Sequence, residues 1–382
     1  MIPYGRQNVS AEDVQAVVDV LRSDFLTQGP VVPAFEQAIV RLTGARHAVA
    51  VNSATSALHV ACLALGLGPG DRLWTVPNTF LASANCARYC GADVDFVDID
   101  PGTWNMSAPA LEQRLKLAEA AGRLPRVVVP VAFGGQSCDM RAIRSLADRY
   151  RFAVIEDASH AVGARYAGRP VGCGEYADVT IFSFHPVKIV TSAEGGMALT
   201  QDDRLASRMQ LFRSHGMTRD PALMEGASEG GWYYEQIELG YNYRMTELQA
   251  ALGLSQLERL ASFVERRHQI AARYAALLDG LPLETQQPLE AAHSALHLYP
   301  VRLRDSQRRR SVFDAMRNAG VGVNVHYIPV HLQPYYRRLG FACGDFPVAE
   351  SYYAGAITLP MYPDLSEAQQ DHVVASLREA LR

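Results

Sequence analysis

The sequence predicts an α/β fold: a large domain with a mostly parallel mixed sheet, followed by a smaller α+β domain. Apolar segments of strand length alternate with helical patterns through the first two-thirds of the chain. These segments are continuous runs rich in Val, Ile and Phe, which is typical of strands buried on both faces of a sheet. After about residue 250 a long helical pattern precedes short strands. We therefore predict a large domain over 1–250 and a smaller one over 251–382.

The large sheet is expected to contain six strands, with helices between them. The segment "AVAVN" is followed by a helical pattern over 56–67, and a second helical pattern begins at residue 80. The predicted strands are 48–52, 72–76, 93–99, 126–133, 152–157 and 178–184.

The C-terminal region has a different pattern. A helical stretch with a bend covers 246–281 and is expected to link the two domains. Strands are predicted over 296–303 and 322–328, around a helix at 308–320.

Composition argues against several classes of protein. The formal net charge of −4 gives no basic surface for nucleic acid. No apolar run reaches the roughly 20 residues that cross a bilayer, and the N-terminus lacks the pattern of a signal peptide. The six cysteines form no zinc-binding pattern, so we expect reduced thiols, no metal and a cytoplasmic location.

The most informative single residue is Lys188, in "SFHPVKIVTSAEGG". Only two of the 36 basic residues are lysines, and the other, Lys116, lies in an amphipathic helical pattern. Lysine differs from arginine because a desolvated ammonium group can lose its proton and become a nucleophile. The alternative is a surface lysine whose alkyl chain covers apolar neighbours.

Polar and aromatic residues follow several predicted strands, where ligands of α/β sheets bind. Thr55 opens a helix and could hold a phosphate or act in an ordinary N-terminal cap. Phe80 could stack on a planar ring, and Asp157 could pair with a ring nitrogen. With Lys188, these groups match the needs of pyridoxal 5'-phosphate: an amine for its aldehyde, an acid, a stacking ring and a phosphate site.

Motifs along nearly the whole chain resemble those of the DegT/DnrJ/StrS nucleotide-sugar aminotransferases. The resemblance implies fold type I of pyridoxal-phosphate-dependent transferases, as in aspartate aminotransferase, and a homodimer with a shared active site. "LTQGP", "NSATSAL" and "FRSHGM" are most similar to the branch of pseudaminic acid biosynthesis. The matching motifs are "SDFLTQGPVVPAFE" (23–36), "NSATSALH" (52–59), "PNTFLASAN" (77–85), "EDASHAVGA" (156–164), "FSFHPVKIVTSAEGGM" (182–197), "LFRSHGM" (211–217), "LGYNYRMTELQAALGLSQL" (239–257) and "VHYIPVH" (325–331).

The resemblance also implies residue roles. Lys188 takes the cofactor's aldehyde and moves a proton, Asp157 holds the pyridine nitrogen, and His160 lies by the phenolic oxygen. The implied cofactor-binding residues are Thr55, Ser56, Phe80, Asp157, His160, Ser183 and Lys188, with Asn242 from the second subunit. The implied substrate contacts are Gln28, Arg213, His215, His326 and Tyr327. For His326, a histidine bonded at a strand end is an equal alternative.

The implied reaction moves an amino group from L-glutamate to C4 of UDP-2-acetamido-2,6-dideoxy-β-L-arabino-hexos-4-ulose. The product is UDP-4-amino-4,6-dideoxy-N-acetyl-β-L-altrosamine. Another nucleotide-linked 4-keto or 3-keto deoxysugar is an open alternative, as is a non-enzymatic regulator that binds the cofactor. A nicotinamide dehydrogenase is excluded because "GLGPGD" lacks the required glycine spacing and precedes a strand.

Overall fold

The computed structural model describes residues 1–382. The helices are α1 (Ala11–Leu21), α2 (Val31–Thr43), α3 (Ala54–Ala64), α4 (Ala82–Tyr89), α5 (Ala108–Ala120), α6 (Met140–Tyr150), α7 (Asp203–Arg213), α8 (Glu247–Leu257), α9 (Leu260–Leu277), α10 (Arg309–Asn318), α11 (Pro334–Arg337), α12 (Pro347–Gly355) and α13 (Glu367–Ala380). The strands are β1 (His47–Val51), β2 (Arg72–Thr75), β3 (Asp93–Phe96), β4 (Val127–Val128), β5 (Ala153–Asp157), β6 (Arg165–Tyr166), β7 (Arg169–Pro170), β8 (Val179–Ser183), β9 (Gly196–Thr200), β10 (Met217–Thr218), β11 (Glu235–Gln236), β12 (Leu283–Thr285), β13 (Ala292–His293), β14 (Tyr299–Leu303) and β15 (Ala356–Leu359).

A seven-stranded mixed sheet forms the centre of the molecule. Its order is β1-β9-β8-β5-β4-β2-β3, and the five strands from β8 to β3 are parallel. Strand β9 runs antiparallel to both β1 and β8. The predicted α/β class with a mostly parallel mixed sheet is confirmed. All six predicted strands form, although several are shorter than predicted, and β9 is an addition.

Both faces of this sheet are buried. Along β8, Ile181 packs into one apolar core and Phe182 into a second core on the other face. The strands are therefore apolar at successive positions, as expected for a sheet covered by helices on both sides. Helices α3 and α4 pack in the first core, and α2 packs in the second.

The C-terminal region has a sheet and a core of its own. Strands β12, β14 and β15 form an antiparallel sheet, and α9, α10 and α13 contribute to its core. The long helical pattern is two helices, α8 and α9, and the predicted bend lies at residues 258 and 259. Helix α9 buries Phe263 in the second core of the large sheet and Tyr274 in the C-terminal core, so it links both. The boundary at residue 250 stays a prediction.

The strand predicted over 322–328 does not form, and this prediction is wrong. Within the segment only Asn324 makes a bridge, to Thr358, and Val321, just before it, makes a bridge to Ile2. Its polar groups bond locally instead, since the Asn324 side chain accepts a hydrogen bond from Val325 N–H at 2.8 Å. Local side-chain bonds of this kind compete with strand pairing. None of the helices combines the length and apolar character needed to span a membrane.

Candidate active site

A cavity of about 550 Å³ lies at the carboxyl ends of β5 and β8. Its walls come from the loops after these strands, from the start of α3 and from the segment between β2 and α4. Residues 324–327, which do not form the predicted strand, supply the wall on the C-terminal side. This cavity thus lies where a parallel sheet binds ligands.

Lys188 lines this cavity in the loop that follows β8. A turn fixes its backbone, because Lys188 N–H donates to His185 O at 2.9 Å. Burial lowers the pKa of Lys188 to about 8, although the Asp157 carboxylate favours the charged form. The other lysine, Lys116, is exposed and pairs with Glu112 at 2.8 Å. The interpretation of Lys188 as a desolvated amine agrees with this contrast.

Asp157 ends β5 with a carboxylate that is only 5% exposed and lines the same cavity. Ser83 Oγ donates to its Oδ2 at 2.6 Å, and Ser159 N–H donates to its Oδ1 at 3.1 Å. Ser83 in turn shares a hydrogen bond of 2.8 Å with Thr79. The carboxylate is therefore held in one orientation beside Lys188.

The start of α3 forms a cradle of donors at another wall. Ser53 and Thr55 line the cavity, and Ser183 does so at the end of β8. The first N–H groups of a helix have no partner within the helix, which suits a bound anion. The Ser56 hydroxyl donates to Asn52 Oδ1 at 2.6 Å and does not line the cavity, so its predicted contact with the phosphate stays a prediction. Gly196 is required here, because a Cβ atom would collide with the backbone of residues 53 and 54.

Two histidines and a tyrosine form the opposite wall. His160 Nε2 and the Tyr327 hydroxyl share a hydrogen bond of 3.1 Å, and His160 Nδ1 is buried without a partner. Burial, with the charge of Lys188, lowers the pKa of His160 well below its ordinary value. His326 Nδ1 shares a hydrogen bond of 2.8 Å with the Thr358 hydroxyl, and burial lowers the pKa of His326 to about 3. Both histidines are thus neutral. His326 lines the cavity and is also hydrogen-bonded to a neighbouring side chain, so features of both alternatives given for it are present.

Phe80 offers an aromatic surface to the cavity. Its side chain lines the wall and is 58% exposed, unlike the buried aromatic residues of the core. The ring of Tyr327 lies 6.3 Å away, centroid to centroid. An open aromatic face fits the predicted stacking role.

Five predicted residues lie outside the cavity lining of one chain: Gln28, Ser56, Arg213, His215 and Asn242. The Arg213 guanidinium donates to Glu36 Oε1 at 2.8 Å and to Ala50 O at 2.9 Å, so it is already paired. Asn242 is exposed, as its predicted place in the second subunit requires. The roles predicted for these five residues stay predictions.

Sequence reasoning missed several residues of the wall. Ser83 lies within the matching motif "PNTFLASAN", three residues after Phe80, and helical spacing could have indicated it. His297 and Asn324 gave no signal, because both lie within segments interpreted as strands. The other unpredicted wall residues include Tyr4, His185 and Glu194.

These residues fit pyridoxal phosphate. The cavity supplies an amine with a lowered pKa, a fixed carboxylate and a helix N-terminus with free donors. The volume lies within the range of about 300–1,000 Å³ that small-molecule sites occupy.

Comparison with known proteins gives similarity over the full chain. The sequence is 39% identical over 387 residues to the spore coat polysaccharide biosynthesis protein SpsC of Bacillus subtilis. The alignment covers 100% of this chain and 97% of that protein. The structure is similar to Helicobacter pylori PseC, an aminotransferase involved in the biosynthesis of pseudoaminic acid, with a TM-score of 0.91 and 30% identity over 100% of this chain and 99% of that one. A Streptococcus pneumoniae protein solved in a PLP form gives a TM-score of 0.90 and 30% identity over 99% and 98% of the two chains.

A family profile matches residues 7–378. Sugar aminotransferases of this kind have fold type I and use pyridoxal phosphate, so the predicted fold, enzyme class and cofactor are confirmed. The chain belongs to the DegT/DnrJ/EryC1/StrS aminotransferase family.

Proposed function

We propose that this sugar aminotransferase transfers an amino group from L-glutamate to C4 of UDP-2-acetamido-2,6-dideoxy-β-L-arabino-hexos-4-ulose. The product would be UDP-4-amino-4,6-dideoxy-N-acetyl-β-L-altrosamine, which belongs to pseudaminic acid biosynthesis. The similarity to PseC over the full chain supports this choice of sugar. The observation that supports this chemistry is that a desolvated Lys188 and a fixed Asp157 line the same cavity.

Lys188 is proposed to bind the cofactor's aldehyde and to move the proton at the reacting carbon. A base for this task works best when its pKa is close to the working pH, and burial brings the pKa of Lys188 to about 8. The bound cofactor supplies an electron sink for the carbanion that forms when this proton leaves. Asp157 would hold the pyridine nitrogen, and Ser83 and Ser159 fix its carboxylate for that purpose.

The remaining wall residues would orient the cofactor. Thr55, Ser183 and the N-terminus of α3 are proposed to hold the phosphate, and Phe80 to stack on the ring. His160 would lie by the phenolic oxygen, with its Nε2 bonded to the Tyr327 hydroxyl. Ser56, whose hydroxyl donates to Asn52 Oδ1, remains a proposed contact of the phosphate.

Substrate binding is proposed to need a second subunit. The cavity of one chain contains no arginine, although the sugar nucleotide and glutamate are both anionic. We propose a cytoplasmic homodimer whose active sites combine His326 and Tyr327 of one chain with Asn242 of the other. Gln28, Arg213 and His215 remain proposed substrate contacts.

The product of the reaction tests the proposal. The purified protein would be incubated with glutamate and a panel of nucleotide-linked 4-keto and 3-keto deoxysugars, and products identified by mass and by NMR of the sugar ring. Amination of the UDP-linked β-L-arabino-hexos-4-ulose at C4 is the expected result. Preference for another keto sugar would favour the second candidate, which the 39% identity to SpsC supports. Amination of none would contradict both.

A further inference from the structure

Arg267, in α9, is buried without an acidic partner. Its side chain is 1% exposed, and no carboxylate lies within ion-pair distance. The guanidinium Nη1 instead donates to the carbonyl oxygens of Leu296 and His297 at 3.1 Å and of Met361 at 3.2 Å. Burying a charged arginine without a carboxylate costs free energy unless its N–H groups are hydrogen-bonded. The three carbonyl groups offset this cost only where they lie within bonding distance of the guanidinium, so Arg267 fixes their positions. That backbone leads directly into the cavity wall.

A second contact fastens the same loop to the large sheet. Ala295 N–H donates to Gly135 O at 3.0 Å, and Leu296 has a positive φ of 51°. Gly135 also has a positive φ of 105°, and a Cβ atom there would lie 2.7 Å from Leu296 N and 3.0 Å from both His160 O and His297 N. The backbones of His160 and His297 therefore meet at one glycine. Arg267 holds the loop from one side and Gly135 from the other.

This anchoring places the ring of His297 against the ring of His160. The two centroids are 4.5 Å apart, and His297 is 4% exposed and lines the cavity. His297 Nδ1 is buried without a partner, so the contact between the rings is one of packing. Burial lowers the pKa of His297 well below its ordinary value, and the nearby His160, Lys188, Arg267 and His326 act in the same direction. The pair is therefore neutral.

We propose that His297 is a positioning residue of the active site: anchored by Arg267 and Gly135, its ring fixes the ring of His160 and thereby the hydroxyl of Tyr327. His160 has no side-chain partner besides Tyr327, so its orientation depends on what packs against it. The inference rests on the proposed function, in which His160 lies beside the cofactor. It adds a residue that acts through His160.

Three variants test this role: His297→Ala, which removes the ring, His297→Phe, which keeps a ring without nitrogen, and His372→Ala as the control. His372 is exposed and bonds only to Ala319 O at 2.8 Å. The first measurement is the pH titration of His160 in cofactor-free protein. It is monitored by NMR of labelled histidine side chains. The second is kcat and KM for both substrates, with the unfolding temperature recorded for each variant.

His297→Ala is expected to raise the pKa of His160, because water enters the space beside it. It should lower kcat by about 10- to 100-fold, since small misplacement has effects of this size, with KM changed less than about threefold. His297→Phe should keep the His160 titration and retain kcat within about threefold, because the packing contact persists. His372→Ala should behave as wild type.

Two results would overturn the proposal. If His297→Phe loses as much activity as His297→Ala, a ring nitrogen matters and positioning by packing is wrong. If His297→Ala leaves the titration of His160 unchanged, the ring does not control His160. The titration needs no substrate, so its failure counts against His297 alone and leaves the aminotransferase proposal intact. If His297→Ala does not fold, His297→Val, which also removes the ring but leaves a smaller cavity, takes its place in both measurements.

Discussion

The hydroxyl of Ser83 donates a hydrogen bond of 2.6 Å to Oδ2 of Asp157, and both side chains are buried in the cavity wall. The bond joins the start of α4 to the end of β5, two elements that are distant in sequence. The Thr79 hydroxyl extends this chain, because it shares a hydrogen bond of 2.8 Å with the Ser83 hydroxyl. The orientation of the carboxylate is therefore set by a helix that begins at the cavity.

Replacing Ser83 with Ala tests whether this orientation matters. A hydrogen bond to a charged group contributes about 1.5–3 kcal/mol, so we expect kcat to fall by about 10- to 100-fold. Ser366→Ala is the control, because Ser366 caps α13 away from the cavity. It should lower the unfolding temperature without changing kcat. Equal kcat for Ser83→Ala and wild type would mean that Ser159 alone orients Asp157.

Asp157→Asn is expected to lower turnover far more than stability. The amide keeps the size of the side chain but removes the charge proposed to hold the pyridine nitrogen. Glu156→Gln is the matched control: Glu156 is the adjacent residue of β5, bonds to Ser137 and Thr180 at 3.4 Å, and does not line the cavity. Turnover and urea unfolding are measured for both. Parallel losses of kcat and stability in Asp157→Asn would indicate a structural role.

Lys188→Ala should abolish the visible absorbance of the bound cofactor and lower turnover by several orders of magnitude. The reason is that no other amine lines the cavity. Lys116→Ala removes the only other lysine, which is exposed on α5, and should leave the spectrum and kcat unchanged. Near-normal turnover in Lys188→Ala would rule out the proposed mechanism.

The fold could be predicted from the sequence because buried strands leave continuous apolar runs. Lys188 and Asp157 could be predicted because they follow such runs at one edge of the sheet. Strand β9 was missed because "GMALT" follows the loop of Lys188 with a glycine and few β-branched residues. Its position between β1 and β8 depends on pairing with strands distant in sequence.

The C-terminal wall of the cavity shows where sequence reasoning fails. The segment around His326 is rich in valine and alternates like a strand, yet it forms single bridges while β15 pairs with β14. His297 is placed by Arg267, whose charge in a helical pattern predicts an exposed side chain. No local pattern encodes a buried arginine that holds carbonyl groups of a distant loop.

The pKa of Lys188 predicts how the rate of pyridoxal phosphate binding to cofactor-free protein depends on pH. An amine attacks an aldehyde in its uncharged form, and that form increases as pH rises through the pKa. With a pKa of about 8, roughly one Lys188 in ten is uncharged at pH 7, against about one in several thousand for an ordinary lysine. The rate of pyridoxal phosphate binding, followed by absorbance, should rise about tenfold between pH 7 and 9 and then level off. A continued rise above pH 10 would contradict the lowered pKa.

Asn242 gives the last prediction, because it is exposed on a single chain and is proposed to complete the active site of the partner. Asn242→Ala and Lys188→Ala should each be nearly inactive as purified homodimers. When the two variants are unfolded together and refolded, half of the dimers are mixed, and one site of each mixed dimer carries neither change. Activity should then return to about a quarter of the wild-type value, as expected for a two-fold dimer with shared sites. Refolding each variant alone is the control. If Asn242 acted within its own chain, every site of a mixed dimer would carry one of the two changes, and no activity would return.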